Sequence, residues 1–374
     1  MATVHYYVDP VNGSDGNAGT SDATAWQTIN YAITNTSGTS TQITQVNLKS
    51  NGTHTLTAQP TLSGGGNNGA HVLRGYDSVA GDGGIATIDG NGLYGITMNT
   101  YSCAADLYMT NRGTGDFLTN GYADSSIRIF NCGFNGATGK AIDFSNASAY
   151  SVERCYFTNV SITVQTDDPI ETTVSSCFVQ DGDTTQLTDG ALSASVNLVG
   201  NMVYVTGTRS GIVGDYSSAR RIVRNNSVFS DGGTGTGHRP NSNSSATQFE
   251  CNNAIEGFSG TNGRGFGTAN TPRNLSYHNN VAYDNYTNYD TGVETNNLWM
   301  EAPKVATGNL FKGGTLPSPA LFASDNAQFW QTVHNFFRPT DALIAQADST
   351  GVVAGAVPAS ASTVSPSRHP LARF

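Results

Sequence analysis

Three aspartates follow the same position of a repeated sequence motif at similar distances. Asp168, Asp189 and Asp215 each lie 12 to 14 residues after that position in their own copy of the motif. In the next copy, His238 and Arg239 fall at the same distance. Side chains at equal distances on successive turns of a coil lie at similar heights, so we expect these five residues to form a column on the outer surface. Paired carboxylates in such a column could serve as the acid and the base or nucleophile of glycoside hydrolysis.

The separation of successive turns decides which reaction the column could support. Carboxylates one turn apart would lie about 5 Å from each other, and carboxylates two turns apart about 9.5 Å. Retaining glycosidases need about 5–5.5 Å and inverting ones about 6.5–9.5 Å, so both mechanisms remain open. A calcium-assisted lyase is a third alternative, in which the carboxylates hold the ion and Arg239 or Arg220 removes the α-proton of a uronate. An arginine pKa above about 12 makes either residue an unusual base.

Other side chains near this face could bind sugar directly. Tyr150 and Tyr216 could stack on sugar rings, and Asp167 neighbours Asp168, so we predict these three residues as glycan-binding. Phe144, Phe258 and Phe266 are further aromatic candidates on the same face, and Asp143 is a further acidic one. The purely structural alternative is that aspartates in Gly-rich loops form turns and that the rings simply pack.

The elements that position these residues are the copies of the repeat. Seven six-residue phrases align, with steps of 22 to 27 residues, on Cys132, Cys155, Cys177, Asn201, Asn226, Asn253 and Asn280. A period of this length indicates a solenoid. One apolar residue lies three before the aligned position and another two after it, so the apolar parity changes, which a straight strand does not allow. Each copy is therefore predicted as strand, corner, strand and polar return, which is one rung of a parallel β-helix.

The aligned corner position predicts how the rungs attach to one another. Asn tolerates left-handed backbone angles, and its amide can bond to the same residue in the rungs above and below. The three cysteines at this position are interpreted as a stack of small buried thiols. Zinc prefers a tetrahedral set of closely spaced ligands, which a linear ladder does not supply, so no metal is predicted there.

Composition narrows the function classes. The chain has 374 residues, of which 12% are charged and 37% hydrophobic, with 43 glycines and 5 cysteines. A net charge of −10 disfavours nucleic acid as a partner, because phosphate binding needs a basic surface. No apolar run approaches the length of a membrane span, so no membrane association is predicted. No secretory signal is visible, since the first residues lead straight into a strand.

The opening of the chain carries a family resemblance. Tyr7-Val8-Asp9, Asn12-Gly13-Ser14-Asp15, Gly19-Thr20 and Trp26-Gln27-Thr28-Ile29 form a strand, a polar loop and a helix start. This order resembles the right-handed parallel β-helix proteins of the pectate-lyase-like superfamily, which include phage tail spikes and polysaccharide lyases and hydrolases. The resemblance implies an all-β, single-stranded right-handed parallel β-helix with an N-terminal capping helix, and the length of the repeat predicts about a dozen rungs.

The helix and loop at the start have specific expectations. Trp26, Ile29 and Ile33 fall on one helical face, with Ser21 and Asp22 as candidate caps. Such a helix would cover the open end of the first rung. The carboxylates and amides from Asp9 to Asn17 leave a calcium ion open as a cofactor, although the loop lacks the ligand order of an EF-hand.

The resemblance also divides the chain and bears on activity. We expect an N-terminal strand, loop and capping helix over residues 1–40, rungs over 41–315, a closing segment over 316–358 and an extended tail over 359–374. Gln165-Thr166-Asp167-Asp168 and Gly237-His238-Arg239 echo the Asn-Thr-Asp, Asp-Asp and Gly-His-Gly motifs of polygalacturonase-like members. The departures at Gln165 and Arg239 argue against hydrolase activity.

Three functions follow as hypotheses. The first is a virion-surface protein, such as a tail spike, fibre or capsid decoration protein, that presents a polysaccharide-binding face and assembles as a trimer or larger particle. The second is a secreted lyase or glycoside hydrolase that acts on an acidic glycan. The third is a non-catalytic structural or adhesive module. All three place the protein outside the cell or on a virion surface.

Overall fold

The structure is a computed structural model that describes residues 2–65, 69–121, 126–137, 139–144, 149–164, 171–180, 185–189, 195–214, 220–239, 247–267, 274–289, 299–300, 304–347 and 353–355. These residues form two compact units. Unit 1 contains the described residues of 1–156 and 318–326, and unit 2 contains those of 157–317 and 327–365.

Unit 1 has three parallel sheets, each receiving one strand per turn of the chain. The strands of its first sheet are β1 (Ala2–Val8), β2 (Gln42–Lys49), β5 (His71–Tyr76), β8 (Ser102–Ala105), β11 (Ser126–Phe130) and β14 (Ala149–Glu153). Those of the second are β3 (Thr53–Thr55), β6 (Ala86–Asp89), β9 (Leu107–Gly113), β12 (Gly133–Ala137) and β15 (Tyr156–Thr158), whose first residue closes the unit. Those of the third are β4 (Thr61–Leu62), β7 (Ile96–Met98), β10 (Leu118–Thr119) and β13 (Lys140–Asp143).

Unit 2 repeats the same arrangement. Its first sheet contains β17 (Glu171–Ser175), β20 (Ser195–Val199), β23 (Arg220–Arg224), β26 (Thr247–Cys251), β29 (Asn274–His278) and β32 (Trp299–Met300). Its second contains β18 (Phe178–Gln180), β21 (Met202–Val205), β24 (Ser227–Ser230), β27 (Ala254–Glu256), β30 (Val281–Tyr283) and β33 (Lys304–Val305). Its third contains β16 (Ser161–Val164), β19 (Thr185–Asp189), β22 (Ser210–Gly214), β25 (Thr236–Arg239), β28 (Arg264–Phe266) and β31 (Thr287–Tyr289).

The predicted all-β parallel solenoid is confirmed. Each unit contributes six strands to sheets of the first kind, which agrees with about a dozen rungs. Apolar side chains that point inward are almost fully buried, as Ile127 and Ile129 show in β11 and Val203 and Val205 in β21. No described helix is long and apolar enough to span a bilayer.

The corner between the first and second sheets is made by two consecutive residues. The residue before each aligned Cys or Asn has a positive φ, for example 49° at Asn131, 54° at Ser176 and 56° at Asn225. The left-handed turn therefore lies one residue earlier than predicted. It accounts for the change of apolar parity, because it rotates the chain from one sheet into the next.

The predicted asparagine ladder is confirmed in unit 2. The backbone N–H of Asn201 donates to Asn226 Oδ1 at 2.9 Å, and the same bond recurs from Asn226 to Asn253 at 3.1 Å and from Asn253 to Asn280 at 3.0 Å. All four side chains are at most 1% exposed. In unit 1 the equivalent Cys132 and Cys155 are buried free thiols, as predicted.

The N-terminal helix is shorter than the sequence indicates. Helix α1 spans Ile29–Asn35, and Thr28 caps it by accepting a bond from the backbone N–H of Tyr31. Trp26 precedes the helix and forms an isolated parallel bridge with Val8. Of the two expected caps, Ser21 precedes only a short 3-10 helix (Asp22–Thr24), and Asp22 binds Lys49 and Tyr76 instead.

In the described part of the chain, three helices follow the last strand. Helix α2 (Pro319–Ser324) belongs to unit 1, where the Phe322 ring packs against Tyr108 and Tyr156. A Cβ at Gly133 would lie 2.7 Å from this ring, which is why a glycine is needed there. Helix α3 (Asn326–Phe336) and helix α4 (Asp341–Ile344) come next. Before these helices, Phe311 forms an isolated antiparallel bridge with Pro339. The predicted tail from residue 359 lies outside the described residues.

Candidate functional site

Four of the predicted site residues lie outside the described residues: Asp168 and Asp215 of the column, and Asp167 and Tyr216 of the glycan-binding set. Asp189 and Arg239 are described through their backbones in β19 and β25. Asp189 lies opposite Gly214 in the sheet, whereas Arg239 lies opposite Val213. The two residues are therefore not in the same row, because the copies differ in length and a distance counted from the corner does not preserve register. Their catalytic roles stay predictions.

His238 occupies the interior instead of the expected outer face. Its side chain is 1% exposed, and its Nε2 lies 2.9 Å from Oε2 of Glu250, which is fully buried, without the alignment of a hydrogen bond. The register places His238 opposite the buried Ile212, and this inward row explains the burial. A side chain enclosed in this way does not meet a polysaccharide on the outer surface.

Tyr150 also differs from its expected place. It is 4% exposed and packs edge-on against Phe144, with ring centroids 5.3 Å apart. Phe144, Phe258 and Phe266 are at most 2% exposed. The described aromatic residues predicted as sugar platforms are therefore core residues.

The N-terminal loop uses its carboxylates internally. Asp9 Oδ1 accepts bonds from the backbone N–H groups of Val11 and Asn12 and from Asn51. Burial raises the pKa of Asp9, but these bonds outweigh it and hold the pKa well below its ordinary value. Asp15 caps the turn at Gln27 and Thr28. Among the described residues, no group of three or more His, Cys, Asp or Glu side chains could hold a metal ion.

An open groove of about 530 Å³ lies on the outer face of the second sheet of unit 2. Its floor is formed by Tyr204 in β21 and Phe229 in β24, which lie opposite each other in register. Their rings stack with centroids 5.7 Å apart and an interplanar angle of 14°. Both side chains are half-buried, so each ring keeps exposed surface. We call this feature the aromatic groove.

The wall of the aromatic groove comes from the C-terminal part of unit 2. Phe336, at the end of α3, meets Tyr204 and Phe229 edge-on, with centroids 5.9 and 5.2 Å away. Gly313, Gly314 and Leu316 continue the wall. Both glycines have positive φ, and nothing lies within 4 Å of where their Cβ atoms would be, so the wall is thin at this point.

Three polar side chains complete the aromatic groove: Gln180, Thr206 and Asp231. Gln180 lies opposite Tyr204 in the sheet, and Thr206 and Asp231 follow the strands that carry the two rings. Asp231 is exposed. The aromatic groove therefore offers flat apolar surface beside a carboxylate, an amide and a hydroxyl, a combination that suits a ligand with both C–H faces and hydroxyl groups.

Sequence reasoning missed this site, although a signal was present. Gln180, Tyr204 and Phe229 each lie three residues after the aligned corner, as do Glu256 and Tyr283. Strand alternation places that position on the outer face of the second sheet. The sequence therefore contained a file of large outward side chains, but it did not show that residues 313–336 would convert the file into a groove.

Fold and site together define a parallel β-solenoid with a lateral aromatic groove. No protein family and no curated protein matches the sequence. Among solved structures, the chain is similar to a rhamnogalacturonan lyase, with 13% identity over 94% of this chain and 95% of that one and a TM-score of 0.42. It is also similar to a GH136 lacto-N-biosidase from Eubacterium ramulus, with 10% identity over 80% and 67% of the two chains and a TM-score of 0.34. Similarity at this level carries no argument about activity.

Proposed function

We propose that this protein binds a neutral glycan in the aromatic groove. The observation that carries the proposal is the stacked pair of Tyr204 and Phe229, half-buried beside Asp231. The apolar face of a sugar ring packs well on an aromatic ring, and its hydroxyl groups need polar partners at the edge. A volume of about 530 Å³ falls within the range of small-ligand sites, although this groove is open enough for a chain to continue beyond it.

The charge of the aromatic groove favours a neutral sugar over a uronate. Its described lining residues include one carboxylate, Asp231, and neither lysine nor arginine. A uronate would meet a like charge there without a basic partner, in a protein of net charge −10. The groove therefore gives no support to an acidic glycan, which the lyase hypothesis requires.

The same lining favours binding over cleavage. Glycoside hydrolysis uses two carboxyl groups on either side of the scissile bond. Asp231 is the one carboxylate among the described residues that line the groove. A binding role needs no second acid.

A virion surface is the setting that we propose for this binding face, with host polysaccharide as the partner. Cys103, Cys132, Cys155, Cys177 and Cys251 form no disulfide bonds, which supports assembly in a reducing compartment before release. Trimerisation is part of this proposal. A strict monomer at micromolar concentration in analytical ultracentrifugation would argue against it.

Glycan binding is tested with a panel of neutral and acidic oligosaccharides, measured by calorimetry on the wild type and on Tyr204→Ala. We expect a neutral member to bind and Tyr204→Ala to weaken it by about tenfold, equivalent to about 1.4 kcal/mol of lost ring contact. Tyr286→Ala is the matched control, because Tyr286 is 62% exposed and does not line the groove. Equal losses in both variants, or binding of acidic members alone, would contradict the proposal.

A further inference from the structure

A carboxylate next to the aromatic groove holds the segment that forms its wall. We call Leu310 to Leu316 the strap. Oε2 of Glu256 accepts hydrogen bonds from the backbone N–H groups of Leu310 at 2.8 Å and Phe311 at 3.1 Å. Glu256 is 3% exposed, although it stands on the outward file of the second sheet. The strap therefore covers this carboxylate and depends on it for two backbone hydrogen bonds.

The attachment lies directly beside the proposed binding surface. Glu256 is opposite Phe229 in the sheet, so the acid and the groove floor are on adjacent strands. Two to five residues after Phe311, the strap reaches Gly313, Gly314 and Leu316 in the groove wall. A shift of the strap at Leu310 and Phe311 would displace that wall.

We propose that Glu256 is a positioning residue for the aromatic groove. It holds the strap in place, so that formation of the groove wall depends on the protonation of the Glu256 side chain. The proposal rests on the proposed function for its consequence in glycan binding, but strap docking itself is a property of the free protein. A neutral carboxyl group can still accept both backbone bonds through its carbonyl oxygen. An ionised one leaves a charge under the strap, and no lysine or arginine among the described residues is a cause of its pKa shift.

The titration supports this reading. The pKa of Glu256 is raised from its ordinary value of 4.5 to about 7. Burial is the largest cause and the nearby Asp284 adds to it, whereas the hydrogen bonds from Phe311 and Leu310 act in the opposite direction. The flanking strand ends and the strap carry three other titratable groups: Asp231, Tyr283 and Lys312. Because the pKa is higher in the docked state, docking is strongest below pH 4.5 and weakens as the pH rises through about 7.

Amide exchange at Leu310 and Phe311 tests the docking without any ligand. We expect the protection of these two amides, corrected for intrinsic exchange, to fall by about tenfold between pH 5.5 and pH 8.5 in the wild type. Glu256→Gln should remove this dependence and be the better protected protein at pH 8.5, since the amide is neutral at both values. The amides of Lys304 and Ala306 are internal controls, because they lie outside the strap and bond to the backbone carbonyls of Asn280 and Ala282.

Glu153→Gln is the matched control, since Glu153 lies in β14 of unit 1 and contributes nothing to the strap. Flat protection at Leu310 and Phe311 in the wild type, or an unchanged slope in Glu256→Gln, would overturn the docking role.

The second arm measures affinity for the best neutral oligosaccharide at both pH values. Wild-type affinity should fall with rising pH, and Glu256→Gln should rescue it at pH 8.5. Affinity that is independent of pH while amide protection changes would refute the link to the groove. If no oligosaccharide binds at any pH, the proposed function fails, and the exchange arm still decides whether Glu256 docks the strap.

Discussion

Individual residues show where inference from sequence succeeds and where it stops. The file of outward residues that contains Tyr204 and Phe229 is visible from strand alternation alone. Polar spacing drew attention to His238, yet the structure buries it against Glu250. Its distance of 12 residues from the corner did not reveal whether His238 faces inward or outward. Each copy of the repeat has its own length, so the register of the third sheet cannot be counted from the corner.

Asp231 supplies the carboxylate of the proposed site, and its replacement tests what that charge contributes. Asp231→Asn keeps the size of the side chain and removes its charge. Affinity for the neutral glycan should fall by about fivefold, because a charged acceptor bonds hydroxyl groups more strongly. Discrimination against a uronate oligosaccharide should shrink as the repulsion disappears.

Calorimetry with both ligands measures this effect, with Asp341→Asn as the control at an exposed aspartate of α4. Unaltered preference between the two sugars in Asp231→Asn would mean that the charge of the groove does not select its ligand.

Among the secondary-structure elements, the strands of the rungs could be predicted from the sequence, whereas the positions of the covering helices could not. A period of 22 to 27 residues and a parity change at each corner were sufficient to predict strand, corner and strand. Helix α3 ends at Phe336, and its contact with Tyr204 and Phe229 joins residues more than 100 positions apart. The sequence indicated a closing segment, but its amphipathic pattern is compatible with any apolar face of the solenoid, so the covered sheet was not predictable.

The asparagine ladder makes the corners mutually dependent, which can be tested at its centre. Asn253 Oδ1 accepts bonds from the backbone N–H and Nδ2 of Asn226, and its own Nδ2 donates to the carbonyl of Val223. Asn253→Ala leaves these buried groups without partners and should lower the free energy of unfolding by about 3 kcal/mol.

Chemical denaturation measures the loss, and Asn197→Ala provides the comparison, since this asparagine is half-buried in β20 and lies outside the corner ladder. A loss no larger than that of Asn197→Ala would show that the ladder does not stabilise the corners.

For the whole molecule, the sequence predicted a parallel solenoid with a glycan-binding face, and the structure confirms the solenoid. The binding face that we propose lies on the second sheet of unit 2, where aromatic side chains and the strap form one groove, and the acidic column stays a prediction. The choice of face matters for the chemistry, because the column would act as an acid–base set, whereas the aromatic groove is proposed to bind a sugar ring beside a single described carboxylate. Reaction type thus depends on which face of the coil meets the ligand.

The most direct test is a crystal structure of the wild-type protein with the neutral oligosaccharide that binds best in the panel. We expect a sugar ring to lie on Tyr204 and Phe229, with a hydroxyl group within hydrogen-bonding distance of Asp231. A sugar bound instead along the column of Asp168, Asp189 and Asp215, with the aromatic groove empty, would contradict it.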